Sequence, residues 1–321
     1  MPPILSIVIV SYNTRALTLR CLDCLYQELS ESGLAESSEI LLVENGSRDG
    51  SADAVRAAFP AVEVIVNARN AGFGVGNNQG MERARGEWFV LLNTDAFPRR
   101  GALGALLRYG KAHPEAAVVG PRLLNRDGTL QVSCWKFPTP LRAWLDCLGL
   151  TVALSGHPFI GDYYYWPHDR ERYVQSVVGA CMLVRRAAYE KVGGFDPRFF
   201  FYAEETDWQK RLTEAGWRIA FTPEAEVVHW RRASCEETAA VNPHLYRGAD
   251  IYMRKYYGTV GLLSMRVASI LGNLVRMLFW SVVPREKLSQ RKTLTAKTRQ
   301  HAWVLLRQAT HWRINSGKSN G

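Results

Sequence analysis

The stretch EWFVLLNTDA (residues 87–96) decides the fold of this chain, because an apolar run of strand length breaks there into polar and acidic residues. Three more apolar runs alternate with three helical patterns before it: 4–10, 15–30, 39–43, 50–58, 62–66 and 73–85. Strands that alternate with helices predict a mostly parallel central sheet with helices on both faces. Such an open α/β sheet binds its ligands at the carboxyl ends of the strands.

The remaining sequence predicts how this domain ends. Residues 121–175 are less regular and contain several prolines. Three further elements are expected after them: a strand at 174–186, a helix at 204–216 closed by Gly216, and one or two strands at 218–229. We therefore predict one α/β domain over residues 1–244 and a helical extension over 245–321.

Positive charge is concentrated in that extension. The net charge of the chain is +10, yet residues 245–321 carry 14 Lys and Arg against two acidic residues, which is +12 and leaves −2 for the rest. A basic segment of this kind suggests an anionic surface as a partner. The apolar content of the segment favours an anionic membrane surface, and we predict no nucleic-acid partner. A nucleic-acid-binding module is the remoter alternative.

Residues 245–283 form an apolar helical pattern with one narrow polar stripe. The stripe consists of Arg266, Ser269, Asn273 and Arg276, at steps of three and four. A membrane-spanning helix would bury both arginines at a cost of about 3 kcal/mol each. Two arrangements keep the stripe in water: a helix in the membrane interface, and a helix packed on the domain with the stripe outward. The basic residues that follow favour the membrane interface.

The N-terminus and the cysteines bear on location. MPPILSIVIV lacks the basic start and the length of a signal sequence, so we expect a cytoplasmic protein, peripheral on the inner face of the cell membrane. Cys21 and Cys24 lie in an apolar helical pattern with no second ligand pair, which argues against a zinc site. The six cysteines are expected to be reduced core residues.

Polar side chains at two strand ends are candidate ligands. Asn93 and Asp95 lie on the same side of extended backbone, where their oxygens suit a divalent cation that bridges to phosphate. Glu44, in VENGSRDGS (43–51), suits hydrogen bonds from a nucleobase or ribose. Each pattern taken alone is also typical of a turn or a helix cap.

The glycine- and amide-rich stretch NARNAGFGVGNNQG (67–80) argues against two classes of nucleotide-binding protein. Its glycines stand at 72, 74, 76 and 80, so it is not the dinucleotide-binding fingerprint. It also lacks the Gly-Lys-Ser/Thr ending of a P-loop. The sequence therefore argues against a dinucleotide oxidoreductase and against a P-loop kinase.

Two later motifs add candidate catalytic groups. YAEETDW places Glu204, Glu205 and Asp207 at the predicted start of a helix, where carboxylates either complement the helix dipole or supply a general base. His229 ends an apolar strand pattern. A lone histidine is more often structural, but the acidic pair elsewhere in the chain gives this one a candidate role at a metal.

Taken in order, these motifs resemble those of family 2 glycosyltransferases of the GT-A fold, and within them the bacterial rhamnosyltransferase-like branch. The resemblance covers about residues 4–235 and is carried by the following stretches: SIVIVSYN, VENGSRDGS, NAGFGVGNNQG, LLNTDA, GACMLVRR, VGGFDPRFFFYAEETDWQKRL and AEVVHW.

The resemblance implies a role for each matching residue. Asp95 would be the principal ligand of Mg²⁺ or Mn²⁺, His229 would complete that site, and Asn93 stands where the family has its first acid. Glu205 matches the catalytic base, Asp207 would support it and Glu204 would orient the site. The residues implied in nucleotide-sugar binding are Ser11, Asn13, Glu44, Asn45, Asn70, Gly72, Asn77, Asn93 and Thr94.

The implied reaction is an inverting transfer of a sugar, L-rhamnose from dTDP-rhamnose first, to a lipid-linked saccharide or glycan of the cell envelope. Another donor, such as UDP-galactose or UDP-N-acetylglucosamine, is the near alternative. A sugar-nucleotide pyrophosphorylase would need a basic glycine-rich loop after the first strand, where this chain has SYNTRA. A homo-oligomer remains open. An aromatic cluster, Tyr163, Tyr164, Tyr165 and Trp166, either stacks on sugar faces or packs internally.

Overall fold

A computed structural model describes residues 2–157, 159–161, 166–230 and 243–282. The chain divides into two compact units, one made of Met1–Phe137 and Trp166–Glu237, the other of Pro138–Tyr165 and Thr238–Gly321. The second unit therefore includes a segment, 138–165, that precedes the predicted extension. The boundary at residue 244 stays a prediction.

The strands that the structure describes all belong to the first unit. They are β1 Leu5–Ser11, β2 Ser38–Glu44, β3 Glu63–Val66, β4 Trp88–Asn93, β5 Ala96–Pro98, β6 Ala116–Leu124, β7 Leu130–Gln131, β8 Cys134–Trp135, β9 Arg172–Val174, β10 Ser176–Val177, β11 Cys181–Arg185 and β12 Arg218–His229. The helices in the described residues are α1 Arg15–Glu31, α2 Ser51–Ala58, α3 Phe73–Arg83, α4 Ala102–Ala112, α5 Pro140–Cys147, α6 Leu150–Ala153, α7 Arg186–Val192, α8 Glu204–Glu214 and α9 Pro243–Val282, with a 3-10 turn at Ala35–Ser37.

The main sheet has the order β3-β2-β1-β4-β11-β6-β12-β5, with β7 paired to β6 and β9 to β12. Its first four strands are parallel, which confirms the predicted α/β fold. The antiparallel strand β11 separates them from β6 and β12, which are parallel to each other. A small second sheet pairs β10 with β8.

Burial on both faces of the sheet explains why the strand sequences are continuous apolar runs. Leu5, Ile7 and Ile9 of β1 are fully buried on one face, and Val8 is fully buried on the other. Strands covered on both faces lose the alternation of a half-exposed strand. The parallel register then aligns the polar ends: Ser11 of β1 lies opposite Glu44 of β2, and Val10 lies opposite Asn93 of β4.

Two later elements differ from their predicted form. The expected strand 174–186 is divided into β10 and β11, because Val178 donates its amide hydrogen to Ser133 and Ala180 accepts from Asn93 outside either ladder. Residues 218–229 form one strand whose register against β6 shifts between Thr222 and Glu226. Helix α8 ends at Glu214, and Gly216 follows with φ +93°, as a glycine that closes a helix does.

In the second unit, α5 packs against α9. The indole Nε1 of Trp144 donates to Ser264 Oγ at 2.9 Å. A Cβ on Gly272 would lie 3.1 Å from the Cα of Cys147, so the two backbones approach closely. Helix α9 is interrupted at Gly258, whose φ of 65° and ψ of −167° are not helical. It is therefore two helical pieces joined at a glycine.

The expectation that the polar stripe of α9 faces water is wrong for Arg266. Its Nη2 lies 2.6 Å from Asp250 Oδ2, and its side chain is only 18% exposed. The same helix also exposes large apolar side chains: Leu245, Val260, Leu263, Val267, Ile270, Leu271, Leu274 and Val275. Arg276 falls where side chains are not described. Within the described ranges, only the helix at His244–Val275 has the length and apolar composition to cross a membrane.

The cysteines in the described residues are free, as expected, and three of the five are buried. Burial raises the pKa of Cys21, with Cys24, Asp95 and Cys181 adding to the effect. A thiol held protonated in this way is a small apolar core side chain and a poor nucleophile.

Candidate active site

The turn between β4 and β5 carries Asn93, Thr94 and Asp95. The Asn93 amide donates to the Ala180 carbonyl at 2.9 Å, and the Asp95 carbonyl accepts from the Trp230 amide at 2.8 Å. Thr94 and Asp95 are almost fully buried. Backbone hydrogen bonds to two different segments therefore hold this turn from both sides. A turn fixed in this way can keep its side chains in place for a ligand.

His229 is brought to Asp95 by the pairing of β12 with β5. His229 lies opposite Ala96 in that ladder, and its Nε2 is 3.3 Å from Asp95 Oδ1. The contact is an ion pair when the imidazole is doubly protonated. When the imidazole is neutral, it is a hydrogen bond to Asp95 if Nε2 carries the hydrogen, and a pair of facing electron donors if Nδ1 carries it. The structure thus unites the two residues that the sequence suggested as metal ligands.

Gln131 lies behind His229 and was not anticipated from the sequence. Its Oε1 is 2.6 Å from His229 Nδ1, and its Nε2 donates to the His229 carbonyl at 3.2 Å and to Asn125 Oδ1 at 2.9 Å. Gln131 is buried. The imidazole is therefore held from the side away from Asp95.

This donor set fits a divalent cation. The buried Asn93 Oδ1 has no hydrogen-bond partner among the described residues, so it is available to a cation. A carboxylate, an amide oxygen and an imidazole are ligand types that Mg²⁺ and Mn²⁺ accept. No group of three or more His, Cys, Asp or Glu gathers within the described part of the chain. A cation here would need further ligands, and substrate phosphates commonly supply them.

The first turn of α8 carries the carboxylates Glu204 and Glu205. Glu204 is buried, and its Oε2 has no hydrogen-bond partner among the residues that the structure covers. Burial raises the pKa of Glu204 well above its ordinary value, and the neighbouring Glu205 raises it further. Burial also raises the pKa of Glu205, while backbone N–H groups, including that of Gly179, oppose the shift. The pKa of both carboxyl groups is therefore higher than that of an exposed glutamate.

The segment Gly179–Ala180 links this pair to the Asn93–Asp95 turn. A Cβ on Gly179 would lie 3.6 Å from the Cβ and Cγ of Glu205. The next residue, Ala180, accepts the hydrogen bond from Asn93. A carboxylate suited to accept a proton and a turn suited to hold a cation therefore flank the same two residues.

Asp207 is engaged elsewhere. It is fully buried, and its Oδ2 accepts from Arg211 Nε at 3.0 Å. Arg211 in turn donates to the carbonyls of Val192 and Gly194. Asp207 therefore anchors the loop after α7 through Arg211, and its supporting role towards Glu205 stays a prediction.

The residues immediately before Glu204 have strained backbone. Tyr202 and Ala203 adopt φ of 72° and 71°, values that side-chain-bearing residues rarely take. Strain of this kind costs about 1–3 kcal/mol per residue and concentrates at functional sites. Phe200 just upstream accepts a hydrogen bond from the Phe73 amide at the start of α3. No sequence signal marked this strain, because neither residue is glycine or asparagine.

The candidate nucleotide-binding residues form two hydrogen-bonded clusters. In the first, Asn13 Oδ1 accepts a hydrogen bond from the Arg48 backbone amide at 2.9 Å, and the Asn13 backbone amide donates to Ser47 Oγ. Glu44 Oε1 accepts from the Ser47 backbone amide. Ser11 contacts the hydroxyls of Thr14 and Thr18 at the start of α1. The loops after β1 and β2 are thereby joined.

The second cluster is centred on Asn45. Its Nδ2 donates to Asn70 Oδ1 and to the Gly72 carbonyl, and its Oδ1 accepts from the Ala71 amide. The loop before α3 is thus fixed to the end of β2. Asn77 instead donates to the Phe73 carbonyl within its own helix, so the structure does not join it to either cluster.

The aromatic cluster is described only at Trp166. That indole is buried, stacks on His168 and meets Phe221 edge-on, so it packs internally. Tyr163, Tyr164 and Tyr165 lie outside the described residues.

Comparison with known proteins bears on the family of this chain. Residues 6–193 match Glycosyl transferase family 2, and residues 168–314 match Glycosyl transferase family group 2. The chain is 31% identical over 219 residues to the N-acetylglucosaminyl-diphospho-decaprenol L-rhamnosyltransferase of Mycobacterium tuberculosis, over 61% of this chain and 67% of that protein. It is 30% identical to the pre-mycofactocin glycosyltransferase of the same organism, over 63% of this chain and 39% of that protein.

Two solved structures confirm the fold. GalNAc-T7 with UDP, GalNAc and Mn²⁺ superposes with a TM-score of 0.55 at 13% identity, over 98% of this chain and 58% of that one. The mannosyltransferase PcManGT of Pyrobaculum calidifontis, with GDP-Man and Mn²⁺, gives 0.54 at 18% identity, over 95% and 86%. At such identities the likeness concerns the fold alone.

Proposed function

The chain belongs to glycosyl transferase family 2, and on that premise we propose that it transfers L-rhamnose from a dTDP-linked donor to a lipid-linked saccharide of the cell envelope. The sugar and the acceptor are carried by one observation, the 31% identity to a rhamnosyltransferase that acts on a decaprenol-linked saccharide. The proposed chemistry is supported by the arrangement of the site, in which the Glu205 side chain and the Asn93–Asp95 turn both lie next to Gly179–Ala180.

Glu205 is the proposed general base. Burial raises its pKa above that of an ordinary glutamate, which makes it a stronger base than an exposed carboxylate. It removes the proton from the acceptor hydroxyl as that oxygen forms a bond to the anomeric carbon. The bond from that carbon to the nucleoside diphosphate breaks on the opposite side, so the anomeric configuration inverts. No covalent sugar–enzyme bond is needed.

Asp95 and His229, with Asn93, would hold Mg²⁺ or Mn²⁺. Such an ion, when bound, offsets the negative charge that develops on the departing diphosphate. The two superposed glycosyltransferases were solved with Mn²⁺, which supports a divalent cofactor here. The loops joined through Ser47 and Asn45 would bind the nucleotide and orient it against this turn.

Release of nucleoside diphosphate tests this proposal. With membrane lipid extract and Mg²⁺ or Mn²⁺, we expect release from dTDP-rhamnose, and much slower release from UDP-galactose, UDP-N-acetylglucosamine and GDP-mannose. Release that prefers another donor would overturn the sugar assignment and keep the reaction class. The absence of both release and donor binding by calorimetry would contradict the reaction class itself.

We also propose that the second unit attaches the protein peripherally to an anionic membrane. The apolar side chains exposed on α9 would enter the interface, while the salt bridge to Asp250 offsets part of the cost of removing the Arg266 charge from water. The basic residues in 245–321 would add attraction to anionic lipids. This arrangement also puts a lipid-linked acceptor within reach of the enzyme.

Acidic substitutions on that face should weaken membrane binding. Val267 and Leu271 lie one helical turn apart and are exposed, so Val267→Glu with Leu271→Glu removes two apolar contacts and adds two negative charges. Burying each side chain contributes about 1.5–3 kcal/mol, so we expect at least a 100-fold loss of partitioning into anionic vesicles. Val66→Glu, at an exposed valine of β3, is the matched control. Co-sedimentation equal to wild type in the double variant would contradict the proposal.

A further inference from the structure

The hydrogen-bond network behind His229 fixes the orientation of two amide side chains. Asn125 Nδ2 lies 2.9 Å from Thr129 Oγ1 and 3.2 Å from the Leu130 carbonyl. A carbonyl oxygen can only accept, so the Asn125 nitrogen must face Leu130. The Asn125 oxygen therefore faces Gln131 as an acceptor.

Gln131 is oriented by two further acceptors. Its Nε2 lies 2.9 Å from Asn125 Oδ1 and 3.2 Å from the His229 carbonyl. The reverse orientation of the amide would place its oxygen against two other oxygens in a buried site. The Gln131 oxygen is thus left to face His229 Nδ1, at 2.6 Å.

This orientation determines which imidazole nitrogen carries the hydrogen. An amide oxygen has no hydrogen to give, so the contact with Gln131 requires a hydrogen on His229 Nδ1. In the neutral imidazole the other nitrogen, Nε2, then carries no hydrogen and has a free lone pair. That lone pair is 3.3 Å from the Asp95 carboxylate oxygen, and two electron donors at that distance favour a cation between them.

We propose that Gln131 is a positioning residue: with Asn125 behind it, Gln131 locks His229 in the Nδ1-protonated tautomer and so presents Nε2 together with Asp95 to a divalent cation. The inference rests on the proposed metal role of Asp95 and His229. It adds that two amide side chains from the β6–β7 turn and β7 form part of that site. Gln131 acts through the imidazole and does not itself touch the substrate.

The tautomer can be measured without metal, donor or acceptor. In ¹⁵N-histidine-labelled protein, at about two pH units above the ordinary histidine pKa of about 6.5, long-range ¹H–¹⁵N spectra distinguish protonated from bare ring nitrogens. The His229 signals are those absent in His229→Asn. We expect a protonated Nδ1 and a bare Nε2. The opposite tautomer in the wild-type protein would overturn the proposal.

His168 provides a control in the same spectrum. Its Nδ1 lies 2.7 Å from the Trp166 carbonyl, and its Nε2 accepts from the Ser133 amide, so the same tautomer is expected there. In Gln131→Met the His229 preference should disappear while the His168 signals stay unchanged.

Metal affinity gives the second readout. With nucleoside diphosphate present, Mn²⁺ binding followed by electron paramagnetic resonance should weaken about 10–100-fold in Gln131→Met. Gln27→Met, at an exposed glutamine of α1, should bind Mn²⁺ as the wild type does. Unchanged Mn²⁺ affinity in a Gln131→Met protein that has lost the tautomer would overturn the positioning role. The tautomer result stands whichever sugar, if any, the protein proves to transfer.

Discussion

Replacing Glu205 by glutamine is expected to lower the rate of sugar transfer about 10²–10⁴-fold, the contribution usual for a general base. Glutamine keeps the shape of the side chain, and its neutral amide oxygen can still accept the hydrogen bond from the Gly179 amide. It cannot take the proton from the acceptor hydroxyl. Because the residue does not bind the nucleotide in the proposed mechanism, donor affinity should stay close to that of the wild type.

The measurement is initial-rate transfer with saturating donor, together with donor affinity by calorimetry. Glu190→Gln makes the same change at an exposed position on α7 and should leave both quantities unaltered. Wild-type turnover in Glu205→Gln would exclude Glu205 as the base. A wild-type rate that returns once the donor concentration is raised to saturate the variant would move Glu205 from proton transfer to binding.

The same substitution should stabilise the folded protein above acidic pH. Burial raises the pKa of both Glu204 and Glu205, so the folded chain holds protons that the unfolded chain releases once pH exceeds the ordinary glutamate value of 4.5. Wild-type unfolding free energy should therefore fall as pH rises from about 4.5 through the raised values. Glu205→Gln removes one carboxylate, so its urea-unfolding free energy should fall less over that range. An identical fall in both proteins would contradict this account.

How far the sequence predicts this molecule depends on whether a feature is local. The strands ending in Ser11, Glu44 and Asn93 were predictable, since buried parallel strands require apolar runs and their polar ends share one edge. The pairing of β12 with β5 was not, because a three-residue strand gives no periodic signal. Yet that pairing is what carries His229 to Asp95.

Two other features could not be predicted from the sequence pattern. Gln131 sits in a two-residue strand after a turn, and its sequence setting is that of any polar residue near a loop. The orientation of Arg266 on α9 was predicted wrongly, because helical periodicity shows which residues share a stripe and not what that stripe faces. Asp250, on the preceding piece of the same helix, supplies the partner that turns the arginine inward.

The second large effect is expected at Asp95. Asp95→Asn removes the negative charge and keeps the size of the side chain, so the buried turn should still fold around its hydrogen bonds to Ala180 and Trp230. Without the carboxylate, a cation at this turn loses its strongest ligand, and the developing charge on the diphosphate loses its counter-charge. We expect transfer to fall at least about 10²–10³-fold, with weaker Mn²⁺ binding.

A double variant tests whether the carboxylate must stand at position 95 or whether any acid in the turn is enough. Asn93→Asp combined with Asp95→Asn keeps composition and net charge and moves the acid by two residues. Since His229 Nε2 faces the side chain at position 95, the swapped protein should stay as inactive as Asp95→Asn. Asp53→Asn, on exposed α2, serves as the charge control and should transfer sugar normally. If the swap restored wild-type transfer, the turn would need only one acid at either position, and the Asp95–His229 contact would have no special part in binding the cation.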